Sequence, residues 1–423
     1  MSLPRYEEYK DSGVDWIGSV PAHWDIVALK HLLDIQNGAD HKNVEQAEGF
    51  PVIGSGGQFA YASTYLYDGE SVLLGRKGTI DKPLYFNGPF WTVDTMYWSK
   101  VRPGTNGRYA YYATLTIPFD YYSTNTALPS MTKGALSTHL IARPTLDEQS
   151  SIAAFLDRET AKIDVLIAEQ EKLIVLLAEK RQATISQGVT KGINPNAPMK
   201  DSGVAWLGEV PVHWDVVTFQ RCVYVQEGQV NPEEEPYRSM LLIAPNHIES
   251  GTGRLLYTET AHEQSAESGK YLCNAGDVIY SKIRPALRKV CIAPENCLCS
   301  ADMYPLRGTS KLLNVFLKWF ILSEPFSALA ELESQRVAMP KINRESLKVV
   351  WLAVPSLQEQ EAIDAFLNEE TAKLDLLADA ASTAIKLLTE RRSALIAAAV
   401  TGQIDVRSMI SQVAAERPEA IAA

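Results

Sequence analysis

Two stretches of this chain carry apolar residues at helical spacing, and the second nearly copies the first. Leu156, Ile163, Leu166, Ile174 and Leu177 fall near one stripe, and Leu367, Leu374, Leu377, Ile385 and Leu388 fall in the same places 211 residues later. The stripe is narrow and flanked by Glu, Lys and Arg, which suits a coiled-coil seam better than a broad core face. Each stretch also opens on a start signal, Pro144-Thr145-Leu146-Asp147-Glu148-Gln149 and then Pro355-Ser356-Leu357-Gln358-Glu359-Gln360. Thr145 and Ser356 are placed as N-caps, with Glu148 and Glu359 completing a capping box. With no proline to interrupt it, each helix could run about 60 Å at the usual rise per residue. Each needs a partner for its stripe, and the other copy is the nearest candidate. The alternative is two unrelated surface helices packed on separate domains.

A second repeat precedes each helix at a different offset. Asp11-Ser-Gly-Val-Asp-Trp16-Ile-Gly18-Ser-Val-Pro21-Ala-His23-Trp24-Asp25 returns 190 residues on as Asp201-Ser-Gly-Val-Ala-Trp206-Leu-Gly208-Glu-Val-Pro211-Val-His213-Trp214-Asp215. Gly and Pro mark turns here and the paired tryptophans read as packing anchors. His23 and His213 have no nucleophile or carboxylate constellation beside them, so a structural role is expected of both. The order is therefore element, block, helix, linker, then the same again, which makes two similar halves.

The intervening blocks differ. In the first, Val72-Leu73-Leu74 reads as a buried strand and Gly75-Arg76-Lys77-Gly78-Thr79 as a tight basic turn. Ile80–Phe86 and Phe90–Thr95 read as further strands, and Arg108–Leu115 as a tyrosine-rich helix. Leu128-Pro129-Ser130-Met131-Thr132-Lys133 leads into the strand before the long helix. Gly188–Pro198 reads as the linker. In the second block, Gly276–Arg284 runs a strand into a basic turn, with Arg288 and Lys289 just beyond. Leu313, Phe316, Leu317, Phe320 and Ile321 mark a core helix. Arg336-Val-Ala-Met339-Pro340-Lys341-Ile342 answers the Leu128–Met131 stretch at the 211 offset. Shared ends with divergent interiors suggest one fold serving two targets. The expected division is 1–143 (with its repeat element at 6–25), 144–190, 191–200, 201–354 (element at 201–215), 355–406 and a tail over 407–423.

Composition narrows the chemistry. A chain of 423 residues with 46% hydrophobic and 22% charged residues is ordinary globular material for two or three domains. No signal peptide opens it, and its most apolar run, Leu312–Leu322, is too short to span a membrane. All five cysteines lie in the second half. Cys297-Leu-Cys299 has the wrong spacing for zinc, so buried free thiols in a reducing cytoplasm are the better reading. The net charge of −11 argues against a nucleic-acid partner until it is located. Residues 26–143 carry 10 basic and 9 acidic side chains and 216–354 carry 15 of each, whereas 355–423 carry 6 and 11. The acidity thus sits in the repeated elements and the tail, leaving room for a local basic cleft in each block. No motif for base amino-methylation, nucleotide-cofactor binding, a P-loop or a nuclease site is present.

The DSGVxWxGxVPxHW elements, the LxEQxxIxxFL helix starts and the terminal Val400-Thr-Gly-Gln-Ile404-Asp405 resemble the specificity subunit of type I restriction-modification systems, over nearly the whole chain. The resemblance implies an α+β (α/β) fold with an internal pseudo-twofold repeat: two globular target-recognition domains joined by two long antiparallel coiled-coil helices. It implies a non-catalytic reader of a two-part double-stranded DNA target, directing adenine methylation and restriction by partner subunits. Two copies of a methyltransferase subunit, and restriction or translocase subunits, would be the partners. S-adenosylmethionine, ATP and Mg2+ would belong to those partners, with no cofactor in this chain, no membrane, and a bacterial or archaeal cytoplasm as its place. The termini should lie close together, and two such different blocks predict an asymmetric target. The DNA-contact candidates are Arg76, Lys77, Thr79 and Lys82 in the first block, and Lys282, Arg284, Arg288, Lys289 and Lys341 in the second. Arg would read guanine edges and Lys would hold phosphate. Two other classes stay open: a DNA-modifying enzyme with a cryptic site, and a coiled-coil scaffold unrelated to DNA.

Overall fold

The computed structural model describes residues 4–122, 129–334 and 341–409. Leu128 and Arg336-Val-Ala-Met339-Pro340, parts of the 211-offset match, lie outside the described residues, as does 410–423 of the tail. The chain divides into two compact units, one of residues 1–171 with 383–423 and the other of 172–382.

In the first unit, β1 (Tyr9–Asp11) and β2 (Ser19–Pro21) form the hairpin of the tryptophan element, and β3 (Asp25–Ala28) leads into the block. There β4 (Leu33–Asn37), β5 (Glu45–Gln46), β6 (Phe50–Gly54), β7 (Gly57–Ala62), β8 (Tyr67–Gly75), β9 (Leu84–Thr92) and β10 (Met96–Val101) build one sheet. Its order is β4-β10-β8-β9-β6-β7-β5. Helices α1 (Gly107–Thr114), α2 (Phe119–Tyr122) and α3 (Lys133–Thr138) follow. Then β11 (Leu140–Arg143) pairs antiparallel with β3, so the chain enters and leaves the block side by side before α4 (Leu146–Lys191). Val72 and Leu74 join the cluster around Trp24 and α1, while Leu73 joins Phe90 and Trp98 on the opposite face. Side chains alternate across a strand, so a run of three apolar residues means that both faces are covered.

The two strands read at Ile80–Phe86 and Phe90–Thr95 are a single strand, β9. Ile80 lies in the connection before β9 and is buried in the core around Trp24, Pro83 has no N–H to give a ladder, and Gly88 (φ +118°) sits inside the strand, paired with Gly69.

In the second unit, β12 (Met199–Asp201) and β13 (Glu209–Pro211) repeat the hairpin, and β14 (Asp215–Thr218) leads through α5 (Phe219–Cys222) into the block. Its strands are β15 (Val223–Val225), β16 (Gln229–Val230), β17 (Leu242–Ile243), β18 (Lys270–Cys273), β19 (Val278–Ser281), β20 (Val290–Ile292), β21 (Cys297–Cys299) and β22 (Met303–Gly308). They form two sheets, β15-β22-β19-β20 and β16-β18-β21-β17. The first has the same strand order as the β4-β10-β8-β9 end of the other unit's sheet. Helices α6 (Asn314–Leu322), α7 (Glu324–Ser334) and α8 (Arg344–Lys348) precede β23 (Trp351–Val354), which pairs with β14, and then α9 (Leu357–Val400) begins. The two blocks thus share a four-strand core and differ in what is added to it.

Each unit takes one end of each long helix. In the first, Phe155 and Leu156 of α4 share a core with Ile396, Ala399 and Val400 of α9; in the second, Ile185 and Val189 share one with Ile363 and Leu367. Positions 156, 160, 163, 167, 170, 174 and 177 of α4 are buried or half-buried, at alternating steps of four and three, and so are their equivalents 211 residues on in α9. This is the heptad spacing of a helix seam. Leu166 and Leu377, read as part of the stripe, are instead 45% and 53% exposed, because the alternation calls for a step of four after Ile163 and Leu374. Ile167 and Ala378 take those places. The first helix also runs through Gly188, read as the start of the linker. A Cβ there would stand 3.1 Å from the Leu367 side chain, so glycine permits close helix contact in place of ending the helix.

The repeated motifs explain themselves at the helix starts. Thr145 and Glu148 form a reciprocal capping box, and the Ser356 hydroxyl accepts from the Glu359 N–H at 3.3 Å. Glu148 also bonds His23 at 2.9 Å and accepts from the Trp24 indole at 3.3 Å, while Glu359 bonds His213 at 2.9 Å. Burial works to raise the Glu148 carboxyl, but the bonds from His23, Thr145 and Trp24 together hold it below the usual glutamate value. The two histidines are clasps between tryptophan element and helix. In the first unit the described ends of the chain meet, since Asp405 N–H donates to the Pro4 carbonyl at 2.8 Å and Gln403 to that of Ser19 at 2.6 Å.

Candidate nucleic-acid interface

The basic turns occupy equivalent places in the two blocks. The connection from β8 to β9, 76–83, has eight residues, and so has that from β19 to β20, 282–289. Both leave the same two strands of the shared core. Both are fastened alike: Arg76 N–H donates to the Thr95 carbonyl at 2.9 Å and Lys282 N–H to that of Asp302 at 3.0 Å. The Arg76 carbonyl accepts from Met131 N–H and the Lys282 carbonyl from Ile342 N–H, both at 3.0 Å. Lys77 bridges Ser130 and Ile283 bridges Lys341, which brings Lys341 beside the second loop. Backbone hydrogen bonds thus hold both loops, whatever their side chains.

Local sequence makes this geometry possible. A Cβ on Gly75 would lie 2.3 Å from the Thr79 carbonyl oxygen, so the first loop can fold back only over glycine. Gly78 then takes a left-handed φ of +82°. Its equivalent in the second loop is Arg284, at φ +47°.

The candidate side chains separate into two kinds. Arg76 and Lys282 are half-buried and do equivalent things: the Arg76 guanidinium donates to the Asp94 carbonyl at 3.2 Å over the Tyr97 ring, and the Lys282 ammonium donates to the Ala301 carbonyl at 2.5 Å over the Tyr304 ring. Lys289, also half-buried, donates to the Pro245 carbonyl at 2.6 Å. Lys77, Thr79, Lys82, Arg284 and Lys341 are exposed, and Arg288 is half-exposed. The first loop sets Arg76, Lys77 and Lys82 against Asp81; the second has Lys282, Arg284, Arg288 and Lys289 and no acid. The near-neutral blocks therefore carry locally positive loops.

Sequence reading missed the supports. Arg344 lies 5.3 Å from the Tyr304 ring centre and 5.7 Å from that of Tyr271, and donates to the Gln226 carbonyl at 2.8 Å. Tyr304 therefore has a cation from two directions, Lys282 and Arg344. The signal was present as a third repeat, since Met96-Tyr97 recurs as Met303-Tyr304 at an offset of 207. Only two residues long, it stands out once the loops are superposed.

Among the described residues no helix is long and apolar enough to cross a membrane. Comparison with known proteins then fixes the family. A model for the type I restriction modification DNA specificity domain matches twice, over residues 21–174 and 233–386. The chain is similar to the type I restriction enzyme EcoDI specificity subunit of Escherichia coli, 26% identical over 96% of this chain and 93% of that protein. It is similar also to the EcoBI specificity subunit of Escherichia coli, 21% identical over 98% of this chain and 92% of that one. Among solved structures, a chain from a study of complex assembly and conformational transition of the type I R-M system matches 90% of this chain and 98% of its own length, with a TM-score of 0.62 at 15% identity. The chain belongs to the type I restriction-modification DNA specificity family.

Proposed function

We propose that this specificity subunit reads a two-part, asymmetric double-stranded DNA target, one half with each block, and so directs adenine methylation and restriction by partner subunits. The observation that carries this reading is the pair of basic loops, equivalent in length, place and backbone fastening but different in side chains. Equivalent loops with unlike side chains suit two unlike half-targets, with backbone anchoring separate from base readout.

The partners in this reading are two copies of a methyltransferase subunit, joined by restriction or translocase subunits, in a bacterial or archaeal cytoplasm. S-adenosylmethionine, ATP and Mg2+ are placed on those partners. Apolar side chains exposed along the helices support such docking: Val165, Leu166 and Leu387 in the first unit, and Leu173, Leu176, Leu376 and Leu377 in the second. The test is duplex binding by the complex assembled with its methyltransferase. Binding should weaken steeply with salt and be lost when one base pair is inserted between the halves. Binding indifferent to that insertion would contradict the two-part reading.

A further inference from the structure

The two loops differ in a way that singles out two side chains. Arg284 and Arg288 bracket the single 3-10 turn Pro285–Leu287, and both have φ of +47°. Left-handed backbone is disfavoured for any residue with a Cβ, and the first loop solves the same problem with Gly78. Folding alone would favour glycine at 284 as well. A long charged side chain kept in a strained position points to a use for that side chain.

The neighbouring lysines are already engaged. Lys282 matches Arg76 in its loop, and both donate to equivalent backbone carbonyls, those of Ala301 and Asp94, over equivalent tyrosine rings. Lys289 donates to the Pro245 carbonyl. Pro285, between the two arginines, is buried and pins the turn to the block. The Lys289 carbonyl accepts from Ser281 N–H at 2.9 Å and closes the loop's base. A rigid frame thus presents Arg284 and Arg288 from its two ends.

We propose that Arg284 and Arg288 read the half-target facing the second block by paired contacts to guanine, and that Lys282 and Lys289 are struts that hold their loop. A guanidinium fork matches the O6 and N7 acceptors of guanine in the major groove. This rests on the DNA-reading function above and adds which residues discriminate and which base they select. It follows that the half-target of the second block contains guanine on one strand or the other.

The test uses the whole complex in cells, with modified motifs mapped for Arg284→Ala, Arg288→Ala and Arg284→Gly. Each alanine variant should relax discrimination on the order of tenfold to a hundredfold, at G·C positions of one half only. Arg284→Gly should lose the same discrimination while melting no lower than the parent, because glycine suits the left-handed backbone. In binding by the purified complex, 7-deazaguanine, which lacks the N7 acceptor, placed in that half-target should weaken the parent and add nothing to the loss of the Arg284→Ala, Arg288→Ala double variant. An unaltered motif in all three variants overturns the assignment, as does uniform weakening of both halves, which marks phosphate contacts only. If deleting the whole gene leaves every motif methylated, the DNA-reading function itself fails. A motif that depends on the gene but not on these arginines removes only this inference.

Discussion

Arg181 and Asp375 pair at 3.2 Å where α4 and α9 meet in the second unit, and their equivalents 211 residues apart, Arg392 and Asp164, pair at 2.8 Å in the first. Arginine of one helix meets aspartate of the other in each unit, as expected of two helices related by a twofold repeat. The surroundings differ. The Arg181 side chain is 11% exposed and also donates to the Gly251 and Thr252 carbonyls, whereas Asp164 is 51% exposed. Asp375→Ala should therefore destabilise by about 2 kcal/mol or more, because it strands a buried cation. Asp164→Ala should stay within about 1 kcal/mol. Denaturant unfolding of the two variants checks the ranking, and equal losses would refute it.

Gln149 and Gln360 fasten the loop before α1 or α6 to a helix start. Gln149 accepts from Asn106 N–H at 2.9 Å and donates to the Pro144 carbonyl; Gln360 accepts from Leu313 N–H at 2.8 Å and donates to the Lys311 and Pro355 carbonyls. Both are almost fully buried. Replacing either by alanine leaves buried backbone groups unpaired, so each should destabilise by about 2–3 kcal/mol. Replacement by glutamate should be worse, since it buries a charge. Thermal melting of the four variants decides it.

His139 gives the first unit a pH dependence. Its ring is buried, stacks on Trp16 at 5.2 Å and meets the Tyr122 hydroxyl at 2.9 Å, and burial pushes its pKa down from 6.5 to about 4. Between those values the unfolded chain holds the extra proton and the folded one does not. The contribution is fully present above about pH 6.5 and is lost as the pH falls toward about 4, on the order of 3 kcal/mol in all. His139→Gln should flatten the melting curve against pH across that window. An unchanged slope would assign it to other groups.

The cysteines should be silent. All five are buried and unpaired, and burial pushes Cys222 up to about 11 and Cys291 up to about 12. Thiolate, the reactive form, is scarce at neutral pH. Iodoacetamide at pH 8 should label none of them in the folded protein and all five in denaturant; labelling under native conditions would show an opening of the second block.

Much of this was legible in the sequence because repetition is a strong signal. The helix starts and both tryptophan elements could be read from offsets, and each basic loop from a strand running into a basic turn. Trp24 and Trp214 are buried as expected of packing anchors, whereas Trp16, paired in the same way, is 45% exposed. The strand pattern of the first block was harder to read. Ile80 looks like a strand residue but packs into the core from a loop, and Gly88 looks like a break but sits inside a strand. Leu166 and Leu377 were misplaced because a stripe read from five leucines and isoleucines passed over Thr160, Gln170 and their equivalents, Thr371 and Ala381, which keep the heptad in step. Nor could the partition of the candidate cations be read. Whether a lysine reaches outward or bonds a carbonyl, as Lys282 does, is set by neighbours such as Ala301 that lie far off in the chain.

The most direct test of the central claim is a genome-wide map of N6-methyladenine in cells with and without this gene, with the methyltransferase partner confirmed present by affinity capture. The account predicts that one split motif, with halves that are not inverted copies of each other, loses its methylation when the gene is deleted. Persistence of every motif, with the partner present, would contradict it.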